Sequence, residues 1–220
     1  PALLAGRMKR AFIELERKTL SDEGFARERL GMWPANAGAS RAIDPTTWDA
    51  TTADAPADGI RSFAVAFSAD GKRQALAGAL KTGTGPATRF HVNAIDTFSG
   101  STDEGVKAVA DWLAARKDRT AQINLVGGSG ASALADALQV RGVPARIVHI
   151  MTTREYLESC SLFFEGLRDG RITHPVGDPQ DALNTAVAVC DRKIRARDGA
   201  WGWEASLPDG DETPLEAASA

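Results

Sequence analysis

Ile123-Asn-Leu-Val-Gly-Gly-Ser-Gly-Ala131 is the stretch that most strongly constrains the fold of this chain. Its first four residues are typical of a buried strand, and its glycines predict a tight turn into a helix from Ser132 to Val140. In α/β domains, sites are usually built beyond the carboxyl ends of strands. The stretch therefore predicts a site, although it offers only glycines, Ser129 and the strand-tip residue Val126.

Composition excludes several classes of protein. The net charge of −3 over 220 residues disfavours a surface that binds polyanions throughout, but it leaves room for a local basic patch. Cys160 and Cys190 form no CxxC pair, so we expect neither a disulfide framework nor a zinc site, and we predict a reducing cytoplasm. Since no apolar run approaches the length of a bilayer span, we expect no membrane segment.

The N-terminal part reads as helical and then extended. Helical spacing of apolar residues covers Arg7 to Lys18, and a second helix begins near Ser21 and ends at Gly31. Residues 34–59 are rich in Ala, Thr, Asp, Pro and Gly, which predicts an extended connector held onto the body by Trp33 and Trp48. We therefore predict a helical and connector segment over residues 1–59.

The pattern then changes to that of strands. Residues 62–68 and 73–80 are apolar or alternate between apolar and polar side chains, which predicts two strands. They flank Asp70-Gly71, and Asp-Gly is a strong hairpin signal. Residues 88–95 predict a third strand after a short turn. Three consecutive strands with short links indicate an antiparallel meander.

From residue 102 onward, helices and strands alternate. Strands are predicted near 123 and over 145–150, and helices over 103–116, 153–167 and 180–195, followed by a short strand over 200–204. A meander followed by right-handed crossovers builds a mixed five-stranded sheet with helices on both faces. We predict an α/β, RNase H-like domain over residues 60–220.

Several separated motifs carry a more specific resemblance. They are Phe25-Ala-Arg-Glu-Arg-Leu-Gly31 with Trp33 shortly after, the hairpin over 63–71, Ser129-Gly-Ala, Leu162 to His174, Gly199-Ala-Trp-Gly-Trp203 and Asp211 to Ala217. Their order and spacing resemble the C-terminal nuclease domain of the large terminase subunit of tailed bacteriophages, in the version found in actinobacterial phages and prophages. The resemblance covers nearly the whole chain, and it implies a fragment of a longer chain with an ATPase domain upstream.

The resemblance implies a metal-dependent endonuclease that cleaves concatemeric viral DNA during packaging. Such chemistry uses clustered carboxylates around two divalent ions, here Mg²⁺ or Mn²⁺. The implied partners are double-stranded DNA, the phage portal and the small terminase subunit, with no membrane. The implied location is the cytoplasm of the host bacterium, and we expect the isolated domain to be monomeric.

The carboxylates that the resemblance implies are only partly present. The acid of the first strand falls on Ala66 and that of the fourth strand on Val126, whereas the third matches Asp211, with Asp209 close by. Asp70 is a candidate replacement, but it lies four residues beyond Ala66, roughly 13 Å along an extended strand. Further possible recruits are Asp96, Asp103 and Glu104.

These positions leave two hypotheses open. In the first, Asp211 and Asp70 are catalytic and bind metal together with Asp209. In the second, Asp70 is a turn residue, Asp211 is a helix cap, and the domain keeps the fold as a catalytically silent DNA-binding or assembly module.

The densest basic cluster is Arg192, Lys193, Arg195 and Arg197, at the end of the last long predicted helix. A helix C-terminus favours cations, so a solvated helix end is one interpretation. Binding of DNA phosphates, extended by Lys72, Arg73 and Arg89, is the other. The loop at Ser129 could add a phosphate contact through backbone N–H groups at a helix start.

Ser129 also allows a remote alternative, since Gly127 to Ala131 approximates the G-x-S-x-G turn of serine hydrolases. His149 and His174 lie downstream, but Asp178 follows both, so the usual order of serine, acid and histidine would need another acid such as Asp169. The tight strand-to-helix turn is the simpler interpretation.

Overall fold

The structure is a computed structural model that describes residues 41–99, 102–176 and 181–220. The strands in these ranges are β1 (Ile60–Phe67), β2 (Arg73–Thr82), β3 (Arg89–Ser99), β4 (Gln122–Val126), β5 (Val148–Ile150), β6 (Ile172–Thr173), β7 (Cys190–Ile194) and β8 (Trp201–Ala205). The helices are α1 (Pro45–Ala50), α2 (Thr102–Ala114), α3 (Gly128–Val140), α4 (Thr153–Arg168), α5 (Asp181–Val189) and α6 (Thr213–Ser219).

The predicted meander is confirmed. β1 pairs antiparallel with β2, and β2 pairs antiparallel with β3. The link between β1 and β2 is tight because Gly71 adopts a φ of 70°, a conformation that costs glycine little. Ala66 lies opposite Ala75 in this register, so the end of β1 and the start of β2 share one edge of the sheet.

The crossovers complete a mixed sheet with the strand order β5-β4-β1-β2-β3-β6. β4 pairs parallel with β1, and β5 pairs parallel with β4. The sheet has six strands rather than the predicted five, because the two residues of β6 pair with Phe90 and His91 of β3. Residues 145–147 form a 3₁₀ turn, so β5 begins later than predicted.

Helices cover both faces of the sheet, as an RNase H-like fold requires. Leu113 of α2 and Leu134 of α3 pack on one face with Leu125 of β4. Phe163 of α4 and Leu215 of α6 belong to the second core, on the other face. Each face therefore buries its own apolar cluster, which supplies the main stabilisation of the fold.

The segment before β1 is not extended throughout. Residues 45–50 form α1, since the Asp44 side chain accepts hydrogen bonds from the N–H groups of Thr46 and Thr47. Trp48 packs onto the body as predicted, with its ring stacked 3.7 Å from that of His174. Trp33 and the two helices predicted before residue 32 lie outside the described residues, and the boundary at residue 59 stays a prediction.

The helix predicted over 180–195 is wrong in its second half. α5 ends at Val189, and residues 190–194 form β7, which pairs antiparallel with β8 as a separate two-stranded sheet. Five consecutive register pairs with residues 201–205 outweigh the helical spacing of the sequence here. No helix in the described ranges is long and apolar enough to cross a membrane.

Candidate functional site

The carboxyl ends of β1 and β4 meet at one edge of the sheet. Ala66 and Val126 are partners in the parallel register of these strands. Both side chains are buried, Ala66 completely and Val126 with 7% of its surface exposed. They belong to the core beneath α6, together with Leu215. Two apolar side chains therefore occupy this edge of the sheet.

The turn after β4 brings its backbone close to β1. Gly127 has a φ of 105°, and a Cβ atom there would lie 2.5 Å from the carbonyl oxygen of Phe67. Gly130, one turn into α3, also lies against the ring of Phe67. Ser129 is exposed at the start of α3. The glycines are thus explained by close packing against β1.

The histidines of the hydrolase alternative are engaged elsewhere. His149 lies 3.1 Å from Glu155, and His91 is hydrogen-bonded to Thr173. His174 is buried with its ring nitrogens against the carbonyl oxygens of Trp48 and Pro175. Asp169 pairs with Arg171, and Asp178 lies outside the described residues. These contacts give Ser129 no general base in the described part of the chain.

Asp70 serves the turn between β1 and β2. Its carboxylate accepts hydrogen bonds from the Ser68 hydroxyl at 2.7 Å and from the Lys72 N–H at 3.1 Å. These two bonds, in that order, are the main causes that lower the pKa of Asp70, and the charges of Lys72 and Arg73 add to them. The side chain is exposed, with an ammonium group 3.7 Å away. Asp70 therefore stabilises the β1–β2 turn, as one of the two interpretations of the sequence predicted.

Asp211 lies two residues before α6 begins and binds the first residue of that helix, Thr213. One carboxylate oxygen, Oδ1, accepts hydrogen bonds from both the N–H and the hydroxyl of Thr213, at 3.0 and 2.8 Å. The same oxygen lies 3.6 Å from Nη1 of Arg73 at the start of β2. Asp209 is exposed in the preceding loop. The side chain of Asp211 keeps 32% of its surface exposed.

The donors at this edge do not fit a two-metal site. The strand positions offer a methyl group and an isopropyl group, and Asp211 already binds its own helix start and a guanidinium. Asp96 and Glu104 are exposed, and Asp96 accepts a hydrogen bond from its neighbour Thr97. In the described part of the chain, no three His, Cys, Asp or Glu side chains are placed to hold a metal ion together.

The basic cluster lies on the β7–β8 hairpin and not at the end of a helix. Arg192 lies over the rings of Phe164 and Trp201, at 5.0 and 5.5 Å from the ring centres. Lys193 and Arg195 both approach Glu204 of β8, at 2.7 and 3.5 Å. Because the cluster is on a strand, compensation of a helix dipole no longer explains it.

One polar pair was missed by the sequence reasoning. The Tyr156 hydroxyl of α4 donates a 2.6 Å hydrogen bond to Glu216 of α6 and accepts one from the N–H of Trp203. Burial is the main cause that raises the pKa of Glu216 to about 7, while the Tyr156 hydrogen bond opposes the shift. The only signal in the sequence was a glutamate on the apolar face of a short helix.

The chain shares its RNase H-like fold with terminase nuclease domains of known structure. The large terminase of bacteriophage HK97 is similar with a TM-score of 0.61 at 11% identity, covering 96% of this chain and 53% of that one. The chain thus spans about half the length of that protein. No protein-family model matches the sequence, and no curated protein sequence matches it significantly.

Two isolated nuclease domains share the fold as well. The large terminase nuclease of thermophilic phage G20c has a TM-score of 0.53 at 13% identity, covering 76% of this chain and 82% of that one. The human cytomegalovirus terminase nuclease domain, soaked with Mn and bound to an inhibitor, has a TM-score of 0.50 at 11% identity, covering 80% and 92%. The G20c domain has also been solved with bound magnesium. The terminase nuclease fold expected from the sequence motifs is confirmed.

Proposed function

We propose that this chain is a DNA-contacting domain of a viral DNA-packaging terminase that has kept the nuclease fold without the carboxylates for hydrolysis. The observation that carries the proposal is the pairing of Ala66 with Val126 at the strand edge. The structural neighbours supply the setting, since they are large terminases and terminase nuclease domains. In that setting, the protein partners of this chain are the other components of the packaging machinery, including a portal and a small terminase subunit.

The loss of hydrolysis follows from the chemistry of that edge. Phosphodiester cleavage by two metal ions needs oxygen ligands that hold both ions on either side of the phosphate. Alanine and valine supply no oxygen from their side chains, and a buried apolar contact excludes the water that a hydrated ion would bring. Asp211 alone, shared with Arg73, is a weak ligand for Mg²⁺.

The DNA contact is assigned to the β7–β8 hairpin. Arg192 and Arg197 are exposed, and the cluster adds Lys193 and Arg195 on the same strand or just beyond it. Exposed guanidinium and ammonium groups bind phosphates in a way that weakens as salt rises. The exposed start of α3 at Ser129 is a second phosphate contact, through backbone N–H groups.

A second candidate is a metal-dependent endonuclease with relocated carboxylates. It is favoured by Asp211, which stays one-third exposed, and by Asp70, which lies in the hairpin turn at the same end of β1. Asp209 would complete the set, with Mg²⁺ or Mn²⁺ as the ion. Since one structural neighbour has bound magnesium and another was soaked with Mn, these two ions are the ones to test.

One experiment separates the two candidates. The purified chain is incubated with supercoiled plasmid and Mg²⁺ or Mn²⁺, beside an Asp211→Ala variant and a salt series of DNA retention. We expect intact plasmid and salt-sensitive retention for both proteins. Metal-dependent cleavage that disappears in Asp211→Ala would establish the endonuclease, and the absence of both cleavage and retention would remove the DNA role.

A further inference from the structure

Arg73 joins two parts of the chain that are 137 residues apart. Its Nη1 group donates a hydrogen bond to the carbonyl oxygen of Gly210 and lies 3.6 Å from Oδ1 of Asp211. Arg73 begins β2, whereas Gly210 and Asp211 belong to the loop before α6. The guanidinium therefore connects the β1–β2 hairpin with the start of the last helix.

The backbone of Arg73 is held firmly in place. Its N–H donates to the hydroxyl oxygen of Ser68, and its carbonyl accepts from the N–H of Ser68 at 2.9 Å. The Ser68 hydroxyl also donates to Asp70, so the hairpin turn and the arginine share one network. Only one-third of the Arg73 side chain is exposed. The cation is thus directed to the loop by the sheet register.

The loop before α6 is rich in carboxylates. Asp209, Asp211 and Glu212 lie within four residues of one another in the sequence. Carboxylates gathered at one place repel each other unless a cation lies between them. A guanidinium is permanently charged and offers several N–H donors in a fixed plane, so it can bind a carbonyl and a carboxylate together.

We propose that Arg73 is a positioning residue that does for this loop what a bound metal ion would otherwise do. It holds the start of α6 against the sheet edge and neutralises Asp211, so the edge assembles without a divalent ion. The inference goes beyond the DNA role and does not depend on it, because its tests are made on the free protein.

Thermal unfolding tests the proposal in EDTA and in millimolar Mg²⁺ or Mn²⁺. We expect the wild-type melting temperature to be the same in all three. Arg73→Met should unfold at a lower temperature, and Arg73→Lys should recover part of the loss because it restores the charge but not the planar donors. Arg89→Met is the matched control, because in the described contacts Arg89 donates only to the carbonyl oxygens of Pro86 and Thr88 in its own turn. Its melting temperature should not respond to metal.

The response to metal shows whether Arg73 acts through its positive charge or only through packing. In Arg73→Met, Mn²⁺ at millimolar concentration, where even a weak carboxylate site no longer shared with the guanidinium is partly occupied, should restore part of the lost melting temperature, and adding Asp211→Asn should abolish that restoration. If Arg73→Met does not fold, Arg73→Gln takes its place, since glutamine also removes the charge but keeps N–H donors, and Mn²⁺ should raise its melting temperature in the same way. The proposal is overturned if Mn²⁺ stabilises the wild type, if Arg73→Met melts like the wild type, or if Mn²⁺ leaves Arg73→Met unchanged.

Discussion

Ala66 and Val126 are register partners on the parallel strands β1 and β4, and both side chains are buried. They lie at the carboxyl ends of these strands, close to the start of β2, where Arg73 contacts Asp211. Two small apolar side chains at this place join the sheet edge to the core beneath α6. The resemblance carried by the sequence motifs implies carboxylates at these two positions. A substitution that introduces a metal ligand at Ala66 or Val126 therefore also changes the hydrophobic core and the stability of the fold.

Replacing both residues with aspartate tests where the site lies. Ala66→Asp and Val126→Asp each bury an unpaired carboxylate, so we expect a loss of about 3 kcal/mol or more per site without metal. Mn²⁺ should then raise the melting temperature of the double variant, because the new carboxylates and Asp211 would share an ion. Differential scanning fluorimetry with and without Mn²⁺ measures this.

The matched control is the Ala66→Asn and Val126→Asn double variant, which has nearly the same shape without the charges. It should be destabilised and should not respond to Mn²⁺. A folded aspartate double variant with unchanged metal affinity would show that the site has been placed at the wrong strand positions.

Gly127 and Gly128 should differ in their tolerance of alanine. A Cβ atom at Gly127 would meet the carbonyl oxygen of Phe67 at 2.5 Å, whereas one at Gly128 would meet no atom within 4 Å. Both residues have positive φ, so both substitutions carry a backbone cost of about 1 kcal/mol. Urea unfolding should show a clearly larger loss for Gly127→Ala. Equal losses would mean that the close approach to β1 is unimportant.

Neutralising the hairpin should weaken DNA binding. For Arg192→Gln and Arg197→Gln we expect lower affinity for duplex DNA, with the slope of log affinity against log salt reduced by about one per phosphate contact. Fluorescence anisotropy at several salt concentrations measures this. Arg119→Gln, an exposed position on the connection between α2 and β4, is the control that should bind normally. Wild-type affinity in both hairpin variants would place the DNA elsewhere.

Glu204→Gln should have the opposite effect on the same surface. Glu204 lies 2.7 Å from Lys193 and 3.5 Å from Arg195, so it competes with phosphates for both cations. Its removal should raise DNA affinity and steepen the salt dependence in the same anisotropy assay. A fall in affinity would indicate that the pairs order the hairpin for binding instead.

Glu216 should make stability depend on pH around neutrality. Burial raises its pKa from 4.5 to about 7, so the folded state keeps a proton that the unfolded state releases between these values. The free energy of unfolding should therefore fall as the pH rises through this window and level off above it. Other ionisable groups that act on Glu216 are Glu212, Asp211, Arg195 and Tyr156.

Comparison with Glu216→Gln isolates this contribution. Glutamine can still accept the hydrogen bond from Tyr156 but does not titrate, so the difference in unfolding free energy between the two proteins should change only within that pH window. Urea titrations at a series of pH values measure the difference. A difference that is constant with pH would show that Glu216 has the same pKa in the folded and the unfolded state.

Much of the sheet follows from local patterns. The Asp70-Gly71 turn, the apolar strands around it and the glycine turn at residue 127 are encoded by neighbouring residues, since hairpin turns and strand-to-helix turns depend on a few backbone conformations. These elements appear where they were predicted, with ends that differ by a few residues. α1 was missed because a helix of six residues capped by Asp44 leaves little periodicity to detect.

By itself, the amino-acid sequence determined the β1–β3 meander, the glycine turn after β4, the terminase-like motifs and the absence of acids at residues 66 and 126. Only the tertiary structure decided that Ala66 and Val126 are partners, that residues 190–194 pair with 201–205, and that Arg73 reaches Asp211. The reason is physical: hairpin turns and helix periods are set by neighbouring residues, whereas register partners, the contact of the Arg73 guanidinium with Asp211 and the half-buried Tyr156–Glu216 pair form between segments far apart in the chain.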